Sequence, residues 1–295
     1  MSRNNDDRLT PTTGATQDAS TETPSVATES GPSNSGGSPF SFVTPTEFVE
    51  LPSRGEFYPE NHVLHGVDTV EIRQMTAKDE DILTSRALLK NGTALNRMIN
   101  NILVDKRINA TNMLIGDKNA VIVAARASGY GEDYTTKVTC PNCAETSACT
   151  FDLAEVTNTE PDAYAQYDAV TRDGAHFNIQ LPRTNATVTV KMLTGADEER
   201  IAKNSRINKK AGVASNNTLT GQLRSFIVAV NGDTSQKNIA YFVDHMPAGD
   251  SRFLRTIYKV ITPNVDMVQQ FICGHCDYTT EMEVPFTADF FWPDR

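Results

Sequence analysis

Four of the five cysteines fall in two short pairs far apart in the chain, Cys140-Pro141-Asn142-Cys143 and Cys273-Gly274-His275-Cys276. Two thiols with two residues between them can turn both sulfurs toward one point. Two such pairs supply the four thiolates of a tetrahedral zinc site. Each pair also sits between runs that alternate like strands. Thr136-Lys137-Val138-Thr139 precedes the first and Cys149-Thr150-Phe151-Asp152-Leu153 follows it; Met267 to Ile272 and Thr280 to Val284 flank the second. The pattern predicts two hairpin tips and one structural zinc ribbon, held by Cys140, Cys143, Cys273 and Cys276 and split by residues 144–272.

Other chemistries use the same letters. Cys-Gly-His-Cys is also a dithiol exchange motif, in which a lowered thiol pKa drives reaction. That chemistry needs a helix starting at the first cysteine. Here Tyr278 to Pro285 is β-branched, alternating and stopped by proline, which favours a strand. A disulfide without metal is a further alternative, suited to an oxidising compartment. His275 lies inside its knuckle and is not needed as a ligand, because four cysteines close the site. Cys149 fits a strand core position.

The elements that hold these pairs belong to a chain of 295 residues with 27 basic and 37 acidic side chains, a net charge of -10 and a pI near 5.0. That length suits two modest domains or one with a large insertion. An acidic surface repels phosphate backbones, so non-specific nucleic-acid binding is disfavoured. Neither a signal-peptide pattern nor an apolar run long enough to span a bilayer is present, which predicts a cytosolic setting with reduced thiols and no membrane partner.

Along the chain, residues 1–38 are rich in Ser, Thr, Gly, Pro and Asn and contain no aromatic residue. They are expected to be a disordered tail. Residues 39–66 form an expected extended arm, with Phe57 and Tyr58 among prolines and a glycine. From Thr69 to Met75 the pattern is a strand. Thr76 then caps a helix whose first turn carries Asp79 and Glu80, read as solvated residues at the positive end of the dipole. Further helices are expected from Thr93 and over Asp117 to Arg126. The second half reads as a strand from Thr187, then helices over Leu219 to Val230 and Phe253 to Val260.

The halves echo each other. Thr69, Val70, Thr76, Asp79 and Glu80 recur at one offset as Thr187, Val188, Thr194, Asp197 and Glu198. Gly116-Asp117 recurs as Gly249-Asp250 at the offset that carries Cys140 onto Cys273. The two offsets differ by an insertion, most simply placed within Asn204 to Asn217. The expected fold is therefore α+β, with two tandem strand-helix repeats over 67–155 and 156–295, each carrying one knuckle. Chance similarity is the alternative.

No P-loop, G-x-S-x-G, H-E-x-x-H or dinucleotide fingerprint occurs. The histidines His62, His65, His176 and His245 are scattered, and a closed four-cysteine set leaves a metal no open position for substrate. A non-enzymatic protein without a small-molecule substrate is the expectation.

Several motifs carry a family resemblance. They are Leu51-Pro52-Ser53-Arg54-Gly55 with Tyr58-Pro59, and Val70 to Thr76 with Asp79-Glu80-Asp81-Ile82-Leu83. To these are added Leu114 to Ala120, Arg126 to Gly131, Cys140 to Cys143, and the ending Phe290-Phe291-Trp292-Pro293. From about residue 48 onward the chain resembles the baseplate hub assembly proteins of T-even-type contractile-tailed bacteriophages. The tail and the second-half insertion depart from that pattern.

The resemblance implies an assembly factor of the tail baseplate hub, chaperone-like, partnered by other hub proteins in the cytoplasm of the infected bacterium. A permanent structural subunit retained in the virion baseplate is the alternative, and a zinc-ribbon nucleic-acid regulator a second. The aromatics Phe57, Tyr58, Phe290, Phe291 and Trp292 either dock on a partner or close the chain's own core.

Overall fold

The computed structural model describes residues 44–160, 162–210, 219–285 and 288–291. The expected disordered tail, much of the second-half insertion and Trp292 lie outside the described residues. What is described is a mixed α and β architecture around a single continuous apolar core.

The first half opens with strand β1 (Thr46–Glu50), paired antiparallel with β2 (Thr69–Arg73), so that Val49 and Val70 face each other and enter the core. Between them, residues 51–68 run through turns with no helix. Arg54 and Gly55 both take positive φ there, and a Cβ on Gly55 would fall 2.3 Å from the Val67 nitrogen. Helices α1 (Ala77–Thr84), α2 (Arg86–Asn91), α3 (Ala94–Ile102) and α4 (Ile115–Tyr130) follow. Met98, Ile99 and Ile102 lie on the buried side of α3, as their helical spacing predicts. The hairpin of β3 (Asp133–Thr139) and β4 (Thr146–Asp152) ends this half.

The second half contains β5 (Thr157–Asn158), then β6 (Val170–Asp173), β7 (His176–Gln180) and β8 (Thr187–Lys191). Helices α5 (Gly195–Lys210) and α6 (Leu219–Phe226) precede β9 (Ile227–Val230), and β6-β7-β8-β9 form a four-stranded antiparallel sheet. Then come α7 (Gln236–His245), α8 (Ala248–Ile261), β10 (Val265–Asp266, paired with β5) and the hairpin β11 (Val268–Ile272) with β12 (Thr279–Glu283). The helix expected over Leu219 to Val230 therefore stops at Phe226. The β-branched run Ile227-Val228-Ala229-Val230 pairs with β8 instead, where such side chains fit the pleat.

Buried carboxylates hold the turns. Asp79 is fully buried rather than solvated, which corrects the sequence reading. It accepts from the Thr76 N–H and hydroxyl at 2.8 Å each and from both Arg73 amino groups at 2.7 and 3.0 Å. In the second half Asp197 accepts from Lys191 Nζ at 2.7 and 2.8 Å and from the Thr194 N–H and hydroxyl at 3.2 Å. Asp117 accepts from the Ser53 N–H at 2.9 Å and the Ser53 hydroxyl at 2.6 Å. Asp250 accepts from the Arg183 and Thr184 N–H groups at 2.9 Å and the Thr184 hydroxyl at 2.8 Å. Each of these carboxylates turns toward donors that would otherwise be orphaned at a turn or helix start.

Candidate metal centre

The two hairpins present their knuckles in the same way. In β3–β4 the last paired rung is Thr139 with Thr146; in β11–β12 it is Ile272 with Thr279. Beyond those rungs Cys140 N–H donates to the Glu145 carbonyl at 2.8 Å, and Cys273 N–H to the Tyr278 carbonyl at 2.9 Å. The chain then turns back through Ala144 and Asp277, at φ 59° and 54°, whose N–H groups donate to the Cys140 and Cys273 carbonyls. The N–H groups of Asn142 and His275 each point at the first sulfur of their own knuckle, at 3.4 Å. Two separate hairpins thus make the same turn, and both are shaped around a sulfur acceptor.

The turns bring four sulfurs together. All four sulfurs of Cys140, Cys143, Cys273 and Cys276 lie within 4.8 Å of one another. Cys140 Sγ is 3.8 Å from Cys276 Sγ, and Cys143 Sγ is 3.7 Å from Cys273 Sγ. These are not disulfides, whose sulfurs sit about 2.05 Å apart. A metal with four sulfurs at about 2.3 Å in a tetrahedron would hold them about 3.8 Å apart, so the spacing fits a tetrahedral ion. Cys140 and Cys273 are buried, Cys143 is half-buried and Cys276 exposed, so the quartet closes the inner end of the ribbon and reaches the surface at the other.

Backbone donors, burial and neighbouring thiols set the acidities of the first knuckle. The Cys143 N–H, with that of Asn142, holds the Cys140 thiol down at about 7. For Cys143 the Glu145 N–H likewise lowers the value, but burial and the neighbouring thiols outweigh it and push the thiol up to about 12. Four sulfurs this close cannot all ionise without a cation between them, and a divalent ion removes that conflict. Asn142 also reaches across the pair of hairpins, its side-chain amide 3.7 Å from the Cys276 sulfur. His275 is exposed and stands outside the quartet. Cys149 lies half-buried on β4, with its thiol raised by burial, and takes no part.

The match to known protein families rests on the same body of chain. The family model described as the T4 bacteriophage base plate protein matches residues 44–292. The chain belongs to that family. No curated protein and no solved structure matches it. The match covers both hairpins and all the turn carboxylates, so this baseplate family member carries its cysteine quartet inside the region that defines the family.

The aromatic residues weighed as docking groups are placed otherwise. Phe57 and Tyr58 are 2% and 3% exposed, and Phe290 and Phe291 are 1% and 4% exposed, all within the chain's own core. The structure therefore corrects the docking reading for these four in favour of its alternative; Trp292 lies outside the described residues. The reasons are local. Tyr58 donates to Asp117 at 2.7 Å and accepts from the Leu114 N–H at 2.8 Å, which seats the ring beside α4. Buried Arg126 donates to the Phe290 carbonyl and the Gly131 carbonyl at 2.6 Å each, and to the Asp133 carbonyl at 3.1 Å. That fan of donors ties the end of the chain to α4 and the base of the first hairpin. The sequence pointed to Tyr58 as an aromatic of the arm and to Arg126 as the end of a helix, but not to the polar partners that seat them. The signal for them was a large polar side chain amid apolar neighbours, which demands a partner on burial. Among the described residues no helix is long and apolar enough to cross a membrane.

Proposed function

We propose that this chain is a non-enzymatic, chaperone-like assembly factor of the phage tail baseplate hub, acting on other hub proteins in the cytoplasm of the infected bacterium. The observation that carries the reading is the family match over residues 44–292. The four-sulfur cluster adds a structural role for metal: all-thiolate, tetrahedrally spaced sets favour zinc, and a closed set offers no position for a substrate. In this reading a zinc ion joins two hairpins that neither half could staple alone.

A tandem duplication accounts for that division. The pairs Thr76/Thr194, Asp79/Asp197 and Arg73/Lys191 keep one offset and make equivalent contacts. The turn after Leu51-Pro52 donates to Asp117 as the turn after Leu181-Pro182 donates to Asp250. The repeated turn at both knuckles supports the same view.

The test is mass spectrometry of purified particles beside co-purification of the tagged chain from infected cells. An assembly factor is recovered with baseplate proteins from the lysate and is absent from finished particles. Recovery in particles at a fixed ratio to other baseplate proteins would instead make it a permanent subunit. Retention on DNA that falls steeply with salt would favour the nucleic-acid regulator.

A further inference from the structure

A cleft of 550 Å³ opens between α6, α8 and the second hairpin. Its floor is apolar: Phe226 and Tyr258 stack with ring centroids 3.9 Å apart, and Ile201, Val265 and Met267 complete it. The cleft does not end at its walls. Val268 and Glu283 form one rung of the β11–β12 hairpin and both line the cleft. The rungs Gln270 with Glu281 and Ile272 with Thr279 present the same face of the ribbon, because side chains alternate with a period of two. Along that face Val268 is 48% and Ile272 59% exposed. On the opposite side Leu219, 40% exposed, lies on the face of α6 that carries Gln222 and Phe226 to the cleft, at i, i+3 and i+7. Val268 and Ile272, with Gln270 between them, thus extend the cleft as a track roughly 13 Å along β11, at about 3.4 Å per residue. This is too long for a compact ligand.

The walls carry opposite charge. Arg252, Arg255 and Lys259 project from the exposed side of α8, and Arg255 and Lys259 stand at the rim of the cleft. None of the three has an ion-pair partner among the described residues, in a chain whose net charge is -10. The facing wall holds Asp266, Glu281 and Glu283, likewise without ion pairs among the described residues. An occupant that buries apolar side chains on the floor must therefore bring carboxylates to the α8 side and cations to the hairpin side.

We propose that this track is the docking surface for an amphipathic helical segment of a baseplate protein. Its apolar stripe would be flanked by Asp and Glu on one edge and by Lys and Arg on the other. The proposal rests on the assembly reading and names its surface. A helix of about ten residues spans about 15 Å and matches the track. Helix-in-groove recognition of this kind draws affinity from the apolar face. The charged rims fix orientation and select the partner.

The experiment uses the full chain in infected cells, with a photocrosslinking residue in place of Val268, and in separate variants in place of Phe48 or Tyr241, which are 73% and 67% exposed and outside the cleft. The expected result is a cross-link from position 268 to a baseplate protein, mapping to a segment of the stated charge pattern. Arg255→Glu combined with Lys259→Glu should reduce its yield at least tenfold, whereas Lys237→Glu, exposed and away from the cleft, leaves it unchanged. These are surface positions, so folding is checked by unchanged thermal melting. Cross-links to a baseplate protein from positions 48 or 241 but not from 268 would overturn the groove and leave the assembly reading standing. So would a cross-link from 268 that is indifferent to the charge reversal, or one that maps to this chain or a second copy of it. Association with no baseplate protein at all would overturn the assembly reading itself, and the groove with it.

Discussion

Asp79 shows what a single carboxylate does in this fold. Burial by itself would raise its pKa, but the Arg73 fork, the Thr76 N–H and hydroxyl and the Asn101 amide outweigh burial and hold it at about 2, below the ordinary 3.8. Because the folded value lies below the unfolded one, its contribution is complete above pH 3.8 and is lost as pH falls toward about 2. Acid titration followed by circular dichroism should show wild type losing stability through that window relative to Asp79→Asn, which has no such proton to take up. Both proteins keep the cysteine quartet, so loss of metal in acid cancels in the comparison. Asp79→Ala should cost about 2–4 kcal/mol in denaturant unfolding, since it strands the partly buried Arg73 guanidinium and the Thr76 donors. The residue types of this capping turn were legible from Thr76 and Asp79. Its burial was not, because the partners Arg73 and Asn101 come from the strand before α1 and from α3.

Between elements, two glycines predict opposite outcomes. A Cβ on Gly116, at the start of α4, would fall 1.9 Å from the Pro263 carbonyl oxygen, a backbone atom that cannot step aside. Gly116→Ala should therefore cost about 3 kcal/mol or more by thermal or denaturant unfolding. Gly274 has nothing within 4 Å of the same position, and Pro141 occupies the equivalent place in the first knuckle. Gly274→Ala should change stability by less than about 0.5 kcal/mol and leave metal content unchanged. Legibility at this scale followed pattern strength. The two hairpins were visible because alternation ran up to each cysteine pair, and β2 and β8 because their strand letters recur. The strand β6 (Val170-Thr171-Arg172-Asp173) was missed: four residues, two of them charged, carry no periodic signal. Helix α7 was missed for a related reason, with Tyr241 exposed and only Ile239 and Val243 fully buried. At β9 helix spacing and strand composition competed, and pairing with β8 decided it.

At the scale of the whole molecule, four sulfurs, two from each half, come together within 4.8 Å of one another. Phe271 and Val284 from the second hairpin enter the same core as Tyr134 and Phe151 from the first, so packing also holds the two together. The sequence alone showed which cysteines belong together, through their spacing. It could not show that both knuckles repeat one turn, which needs the backbone of Ala144 and Asp277. Residues 1–38 carry no aromatic side chain; deleting them should leave the melting temperature and metal content of the remaining chain unchanged.

The measurement that bears most directly on this account is metal analysis of the native protein joined to X-ray absorption at the zinc edge. One zinc per chain with four sulfur neighbours at about 2.3 Å is the predicted result. Cys140→Ser and Cys273→Ser should each lose that signal and several kcal/mol of stability, because structural zinc binding is coupled to folding, while Cys149→Ser keeps both. Native protein with four reactive thiols and no bound metal, or a bound ion whose neighbours are not four sulfurs, would contradict it.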